Sequence, residues 1–147
     1  MRLALVLVVV VAASPVPPSV QRAIPRRVPP HLRYVPTRVP PGYRYASWQG
    51  SRHGLDIYFA REGGTPTLGF HAYPSGPAGT CTPGGMHTYR FGAIRVYFET
   101  THNDQQYWRC VRKGTVSIEA TTFRSDGSTS AKRRAIAAML ASAKPLG

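Results

Sequence analysis

The stretch GLDIYFAREGGTPTLGFHAY, residues 54–73, decides the fold because it holds two apolar–polar alternations separated by turn residues. The alternating apolar residues are Leu55, Ile57, Phe59, Leu68, Phe70 and Ala72. Successive side chains of a β-strand point to opposite faces, so a period of two is typical of a strand with one buried face. The intervening segment REGGTP, residues 61–66, has the glycines and the proline of a turn. The stretch therefore predicts two antiparallel strands that share one apolar face.

The same alternation recurs on both sides of this stretch. We predict further strands at residues 43–48, 86–91, 93–100, 106–112 and 115–123. Their inward-facing residues are expected to be Ile94, Val96, Phe98, Trp108, Cys110, Val116, Ile118 and Ala120. Short alternating segments separated by glycine-rich turns are typical of antiparallel sheets.

The C-terminal part of the chain changes period. The apolar residues at the spacing of one helical face are Ile136, Met139, Leu140 and Ala143. Ser128 or Ser130 is the expected helix cap, and the basic residues 132–134 have the wrong sign for the first turn of a helix. This helix therefore needs to pack on the sheet to be stable. The predicted fold class is α+β: a six- to seven-stranded antiparallel sheet with a C-terminal helix packed on one face.

The chain begins with the pattern of an export signal. Arg2 precedes an apolar run, residues 3–13, which ends in small residues and is followed by Pro15. A membrane-spanning helix needs about 20 apolar residues, and this run is shorter. We predict a signal peptide at residues 1–13 and a secreted, extracellular or envelope-associated protein, with an uncleaved N-terminal anchor as the alternative.

Residues 14–41 differ in composition from the rest of the chain. Nine of these 28 residues are proline and five are arginine, and the near-repeat RVPPHLRY (27–34) and RVPPGYRY (38–45) overlaps their end. Proline-rich segments favour extended polyproline geometry. We predict an extended Pro/Arg-rich arm at 14–41 and one folded domain at 42–147, so that deletion of residues 14–36 should change the melting temperature by only a few degrees.

The two cysteines, Cys81 and Cys110, are expected to form a disulfide if the chain is exported. The bond would close a loop of 30 residues, 81–110. On the chain-entropy model such a bond stabilises a fold by about 3.6 kcal/mol. Two separate buried thiols are the alternative.

The net charge of +13 limits the classes of partner. It permits nucleic acid, an anionic membrane surface or an anionic cell-wall polymer. Export argues against nucleic acid, so we predict an anionic cell-wall polymer or membrane surface as the partner.

Catalytic motifs are not evident in the sequence, which has neither a nucleophile elbow nor a phosphate-binding loop. Histidines at three places in the chain would form a zinc site only if the fold brought them together; they are His71, His87 and His102. His53 and Asp56 are a further pair with acid–base potential, at the start of a strand. We predict no cofactor and no metal, with a small hydrolase that uses His71, Glu99 and His87 as the alternative.

The residues opposite the apolar set are rich in tyrosine and arginine. The predicted binding residues are Tyr58, His71, Tyr73, Arg95, Tyr97 and Arg109. Tyrosine supplies rigid contact area and arginine supplies hydrogen bonds to anions, so their combination on one face favours an anionic ligand. The alternative is an ordinary sheet surface, where tyrosine is common because of its β-propensity.

Five segments carry a resemblance to known proteins. They are PPGYRYASW, GLDIYFAR, GAIRVYFE, YWRC and AIAAMLASAK, in this order. Their order resembles small exported domains of unknown function from high-GC Gram-positive bacteria, and it is similar to sensor-like domains of anti-sigma and lipoprotein-sorting-type proteins. The resemblance implies a curved antiparallel sheet with a helix, and a binding or sensing role outside the membrane.

Together these observations predict a secreted, non-enzymatic binding protein. The loop PSGPAGTCTPGG, residues 74–85, leaves a third class open, because a constrained Gly/Pro-rich loop is also typical of inhibitor-like protein-binding modules.

Overall fold

The computed structural model describes residues 14–62, 64–75, 87–100, 105–112 and 115–147. Within these ranges the strands are β1 (Tyr34–Val35), β2 (Tyr43–Ser51), β3 (Gly54–Arg61), β4 (Pro66–Pro74), β5 (His87–Phe91), β6 (Ile94–Thr100), β7 (Gln105–Arg112), β8 (Val116–Phe123) and β9 (Lys144–Pro145). The α-helices there are α1 (Pro18–Ala23) and α2 (Ser130–Ala141), and 3-10 turns span Ile24–Arg26, Pro30–Leu32 and Arg124–Gly127. None of the helices in the described ranges is long and apolar enough to cross a membrane.

Strands β2 to β8 form one antiparallel sheet in the order β2-β3-β4-β8-β7-β6-β5. All seven predicted strands are present, and their ends differ from the predicted ones by three residues or fewer. The predicted α+β fold class is confirmed, because α2 packs on this sheet against β6 and β7.

The core face of the sheet, defined as the face that α2 covers, follows the predicted alternation. Ile57, Phe70, Ala120, Trp108 and Phe98 stand side by side across five strands. Each is at most 4% exposed. This continuous apolar row removes area from water on every strand that it crosses, which is the main driving force for folding.

Helix α2 contributes the second layer over β5 to β8. Its buried residues are Ile136, Ala137, Met139 and Leu140. The helix is capped by Thr129, whose hydroxyl accepts a hydrogen bond from the backbone N–H of Lys132 at 3.2 Å. The expected cap at Ser128 or Ser130 is therefore wrong by one position, because Thr129 has the extended backbone that a cap requires.

Arg112 of β7 holds the other end of α2. Its Nη2 donates to the carbonyl oxygens of Leu140 at 3.1 Å and Ala141 at 2.8 Å. The last carbonyls of a helix have no intrahelical partner and carry partial negative charge. A guanidinium there donates the missing hydrogen bonds and also offsets that charge.

The prediction of an extended arm at residues 14–41 is wrong. This segment contains α1, two 3-10 turns and β1, and it belongs to the same core as the sheet. Its residues Val16, Val20, Ile24, Val28 and Leu32 are all buried, at 8% exposure or less. They recur every four residues, a helix-like spacing that the prolines obscure in the sequence.

The prolines are compatible with these short helices because of where they stand. Pro18, Pro25 and Pro30 each occupy one of the first two positions of α1 or of a 3-10 turn. Backbone N–H groups at the start of a helix need no intrahelical partner, so proline costs little there.

The N-terminal segment covers β2 to β4, next to the area covered by α2. A Cβ atom on Gly50 of β2 would lie 2.6 Å from Cγ2 of Val28, so the segment rests directly on that strand. The two ends of the chain are also joined, because β1 pairs with β9 and the N–H of Leu146 donates to the carbonyl of Arg33 at 2.7 Å.

Candidate binding face on the sheet

The outer face, the side of the sheet opposite α2, carries a polar row that crosses all seven strands. Directly paired residues of an antiparallel sheet point to the same side. The row consists of Gln49, Asp56, His71, Glu119, Arg109, Tyr97 and Thr88. Side chains from residues far apart in sequence therefore come into one line.

Asp56, His71 and Thr121 form a hydrogen-bonded chain in this face. The Asp56 carboxylate lies 2.7 Å from Nδ1 of His71, and Nε2 of His71 lies 3.0 Å from the Thr121 hydroxyl. The hydrogen bond with His71 holds the pKa of Asp56 below its usual value, although burial acts in the opposite direction. Gly69 makes room for this chain, because a Cβ there would lie 2.6 Å from Nε2 of His71.

A second cluster joins Tyr73, Glu119 and Arg109. Glu119 is only 6% exposed, and the Nε of Arg109 donates to its carboxylate at 2.5 Å. Burial, followed by the hydrogen bond to Glu119, raises the pKa of Tyr73 to about 12. A buried carboxylate needs such partners, so this cluster fixes the middle of the outer face.

The order carboxylate, imidazole, hydroxyl in the first cluster is also that of an activated nucleophile. However, Thr121 and Gly69 lie on β8 and β4, which are both interior strands of the sheet. Backbone N–H groups of interior strands are engaged with the neighbouring strands, so they do not offer an oxyanion site. The cluster is better suited to fixing side chains than to acyl transfer.

Arg90 and Arg95 form a like-charge pair at the β5–β6 side of the outer face. They are register partners, and both are exposed. Directly opposed side chains have Cβ atoms about 4.5–5.5 Å apart, where like charges are destabilising. Neither arginine belongs to any ion pair found in the described part of the chain. Their positive charge is therefore available to an external anion.

All six predicted binding residues lie on the outer face, as the period of two requires. The residues that the sequence analysis did not select, but which share this face, are Gln49, Thr88, Arg90, Glu119 and Thr121. Arg90 had a detectable signal, since it alternates with the buried Tyr89 on a strand that was predicted. Two of the six predicted residues are already engaged within the protein, because Arg109 pairs with Glu119 and His71 is hydrogen-bonded to Asp56.

The predicted hydrolase site of His71, Glu99 and His87 is not assembled. His71 lies on β4 and Glu99 on β6, with β8 and β7 between them. Three strand spacings amount to about 14 Å. His87 pairs with the buried Phe98, so it belongs to the core-facing side of the sheet.

The structure describes some, but not all, of the residues of the other candidate sites. Asp56 pairs with His71 and not with His53, which accepts a hydrogen bond from Arg52 at 3.2 Å. The described residues contain no group of three or more His, Cys, Asp or Glu side chains suited to a metal ion. His102 and Cys81 lie outside the described residues.

Two of the surface cavities are lined entirely by residues that the structure describes. One of about 410 Å³ lies at the β2–β3 turn, beside Asp56 and Tyr73. The other, of about 310 Å³, lies between Pro40 and α2, above the ion pair of Arg61 and Asp126 at 3.2 Å. The first has polar and apolar surface in similar amounts and borders the outer face, whereas the second is mainly apolar.

Comparison with known protein families, with curated proteins and with solved structures found no match for this chain. The resemblance to small exported domains therefore stays a prediction. The function has to be argued from the residues of the chain itself.

Proposed function

We propose that the protein is a secreted, non-enzymatic binding protein of the cell envelope or extracellular space, which associates with an anionic polymer or surface. The observation that carries the proposal is the pairing of Arg90 with Arg95 on the outer face. Guanidinium groups present donors in a fork that matches phosphate and carboxylate oxygens. Two such groups side by side, neither of them ion-paired within the part of the chain that the structure describes, would be stabilised by a bound anion.

The distribution of the acidic residues supports this proposal. The chain has six acidic residues against 19 basic ones. In the described part, Glu62, Glu119 and Asp126 each pair with an arginine, and Asp56 is hydrogen-bonded to His71. Four of the five described acidic residues are thus engaged within the protein, and Glu99 is exposed, so most of the positive charge remains for a partner.

The half-exposed Tyr97 adds contact area beside the arginine pair. It follows Arg95 at the period of two, and it pairs with Thr88 of β5. An aromatic ring next to a guanidinium gives a polymer both an apolar surface and a charged contact. Arg90, Arg95 and Tyr97 are therefore the residues that we assign to anion binding.

The proposal is tested by salt-dependent binding of the mature protein to purified anionic wall polymer and to anionic lipid vesicles. We expect retention at low salt that falls as salt rises, because exposed charges are screened. The double variant Arg90→Gln/Arg95→Gln should raise Kd by about tenfold or more, given about 1.5–3 kcal/mol for each lost hydrogen bond to a charged group.

A charge-matched control separates a site from the overall charge. Arg22→Gln/Arg38→Gln removes two exposed arginines from the N-terminal segment, which covers the other side of the sheet. We expect this control to change Kd much less than the variant at Arg90 and Arg95. Equal effects of the two variants, or binding that does not respond to salt, would contradict the proposal.

A further inference from the structure

The cavity at the β2–β3 turn, called the cleft from here on, borders the outer face but has no part in the anion binding proposed above. It has a volume of about 410 Å³, within the range of small-ligand sites. Its lining residues are Gln49, Gly50, Ser51, His53, Gly54, Asp56, Ala72 and Tyr73. Small residues at three of these positions leave the main chain as its floor, and polar side chains form its walls.

The walls of the cleft are fixed before any ligand arrives. The amide Nε2 of Gln49 donates to Asp56 at 2.9 Å, and His71 holds the other oxygen of the same carboxylate. On the opposite side, Tyr73 belongs to the cluster with the buried Glu119, whose carboxylate is held by Arg109. Side chains held in this way lose little freedom on binding, so each contact contributes more to affinity.

The charges around the cleft limit the chemistry of the ligand. The pKa of Asp56 is lowered, mainly by His71, so this carboxylate is ionised at neutral pH and repels phosphate. Arg52 lies in the turn and donates to the ring of His53, so the rim carries a positive charge that disfavours a cation. An apolar group would desolvate Asp56 without compensation. An uncharged, hydroxyl-rich group avoids all three penalties.

Hydroxyl groups also match the donors and acceptors on offer. Each hydroxyl both donates and accepts hydrogen bonds, and neighbouring hydroxyls need both kinds of partner at close range. Asp56 provides hydrogen-bond acceptors, and the side-chain amide of Gln49 provides both a donor and an acceptor. Ser51 and His53 add further polar groups. This combination fits a sugar ring or a linear polyol.

The cleft and the arginine pair lie at the same end of the outer face. Following the register from row to row, Arg95 and Gly54 are each three rows beyond the apolar row of Phe98 and Ile57, on the same side. Four strand spacings separate β3 from β6, which is about 19 Å. A polymer chain lying across the sheet can reach both places.

We infer that the cleft binds a sugar or polyol unit of the anionic polymer, while Arg90 and Arg95 bind its charged groups. The ligand class is then a polymer that combines phosphate or carboxylate groups with hydroxyl-rich units. This inference rests on the proposed function and narrows it.

The test compares two polymers of equal phosphate concentration at one ionic strength. One is purified sugar-bearing wall teichoic acid, and the other is linear polyphosphate, which has charge but no sugar or polyol units. The cleft variant is Gln49→Ala/His53→Ala, in which both residues are exposed. The matched control is Ser47→Ala, an exposed residue on the same strand. Thermal midpoints of all variants confirm that they are folded.

We expect the wild-type protein to bind teichoic acid at least about tenfold more tightly than polyphosphate, one well-made contact to the ligand being enough for this factor. The cleft variant should lose this preference and keep its affinity for polyphosphate, whereas Arg90→Gln/Arg95→Gln should weaken binding to both. Equal wild-type affinity for the two polymers, or an unchanged preference in the cleft variant, would overturn the inference and leave anion binding intact. Absence of binding to either polymer would overturn the proposed function as well.

Discussion

The two ends of the chain cover the same face of the sheet in different ways. Helix α2 is one regular element of 12 residues that packs over β5 to β8. Residues 14–41 cover β2 to β4 with a six-residue helix and two 3-10 turns. Both place fully buried side chains in one core, such as Leu140 and Leu32.

This difference shows that irregular backbone can cover a core as well as a helix when its apolar residues are correctly spaced. Helix α1 is far too short to be stable alone, so its burial against the sheet must hold it. In return, Arg33 ties the segment together by donating to the carbonyls of Val28 at 2.8 Å and Pro25 at 3.1 Å. The high proline content reduces the freedom of the unfolded chain, which also favours the folded state.

Deleting residues 14–36 should have the largest effect of the changes considered, and it should unfold the protein. The deletion removes seven buried hydrophobic side chains, five of them from Val16 to Leu32 and then Tyr34 and Val35. Each contributes about 1.5–3 kcal/mol when buried, whereas a domain of this size is stable by about 5–15 kcal/mol in total. Loss of the cooperative thermal transition in circular dichroism is the expected result.

The control for this deletion keeps the segment and changes only its surface. Replacing Arg22, Arg26 and Arg38, which are all exposed, by glutamine should leave the thermal midpoint nearly unchanged. If the protein without residues 14–36 still melts cooperatively, within a few degrees of the wild type, the N-terminal segment is not needed for folding.

The sheet and α2 were predictable because their signals are local. A period of two identified all seven strands, and Ile136 to Leu140 identified the helix. The N-terminal segment is harder to predict, because its high proline content argues against the helical structure that the four-residue spacing of Val16, Val20 and Ile24 indicates. Its prolines stand at the first positions of helices, where they do not prevent helix formation.

The candidate site was predictable only in part. The period of two places Tyr58, Tyr73 and Arg95 on one face, but it does not give the order of strands. The contact of His71 with Thr121 joins residues 50 positions apart, and it exists because β4 pairs with β8. Such long-range pairing depends on the packing of the whole sheet, for which a single sequence contains no local signal.

Substituting one buried leucine in α2 and one in the N-terminal segment compares how much each element contributes to stability. Leu32 and Leu140 are both 0% exposed. Leu32→Ala and Leu140→Ala should each lower the free energy of unfolding by about 2–5 kcal/mol. Denaturant unfolding measures both, with the exposed Ser47→Ala as a reference. A loss below about 1 kcal/mol for Leu32→Ala alone would mean that the N-terminal segment packs loosely.

The disulfide between Cys81 and Cys110 remains a prediction, and one of its two cysteines lies on the sheet face that α2 covers. Cys110 is 0% exposed on the core face of β7, and Cys81 lies outside the described residues. Reduction should cost about 3.6 kcal/mol and lower the thermal midpoint by several degrees. Mass spectrometry of the unreduced protein should give a mass two hydrogens below that of the reduced protein. Two thiols that react with an alkylating reagent in the untreated protein would refute the bond.

The smallest expected effect on the free energy of unfolding comes from removing the charge of a single carboxylate. The comparison is between Asp126, near α2, and Asp56 on the outer face. Asp126 is 5% exposed, accepts a hydrogen bond from Thr122 at 2.9 Å and pairs with Arg61, whereas the Asp56 side chain is 33% exposed. Burial opposes ionisation of Asp126, but its hydrogen bonds and Arg61 hold its pKa below the usual value; Asp56 is shifted in the same direction.

A lowered pKa in the folded state stabilises the protein above the unfolded-state pKa of about 3.9, and this stabilisation is lost as the pH falls through the folded-state pKa. At pH 7, Asp126→Asn should therefore lower the free energy of unfolding by about 1–3 kcal/mol, and Asp56→Asn by less. As the pH falls below the unfolded-state pKa the cost of both substitutions should shrink, because protons then bind the unfolded chain more readily than the folded protein. Urea unfolding at pH 7 and at pH 3 measures this difference, and a cost for Asp126→Asn that is the same at both pH values would mean that its charge does not stabilise the fold.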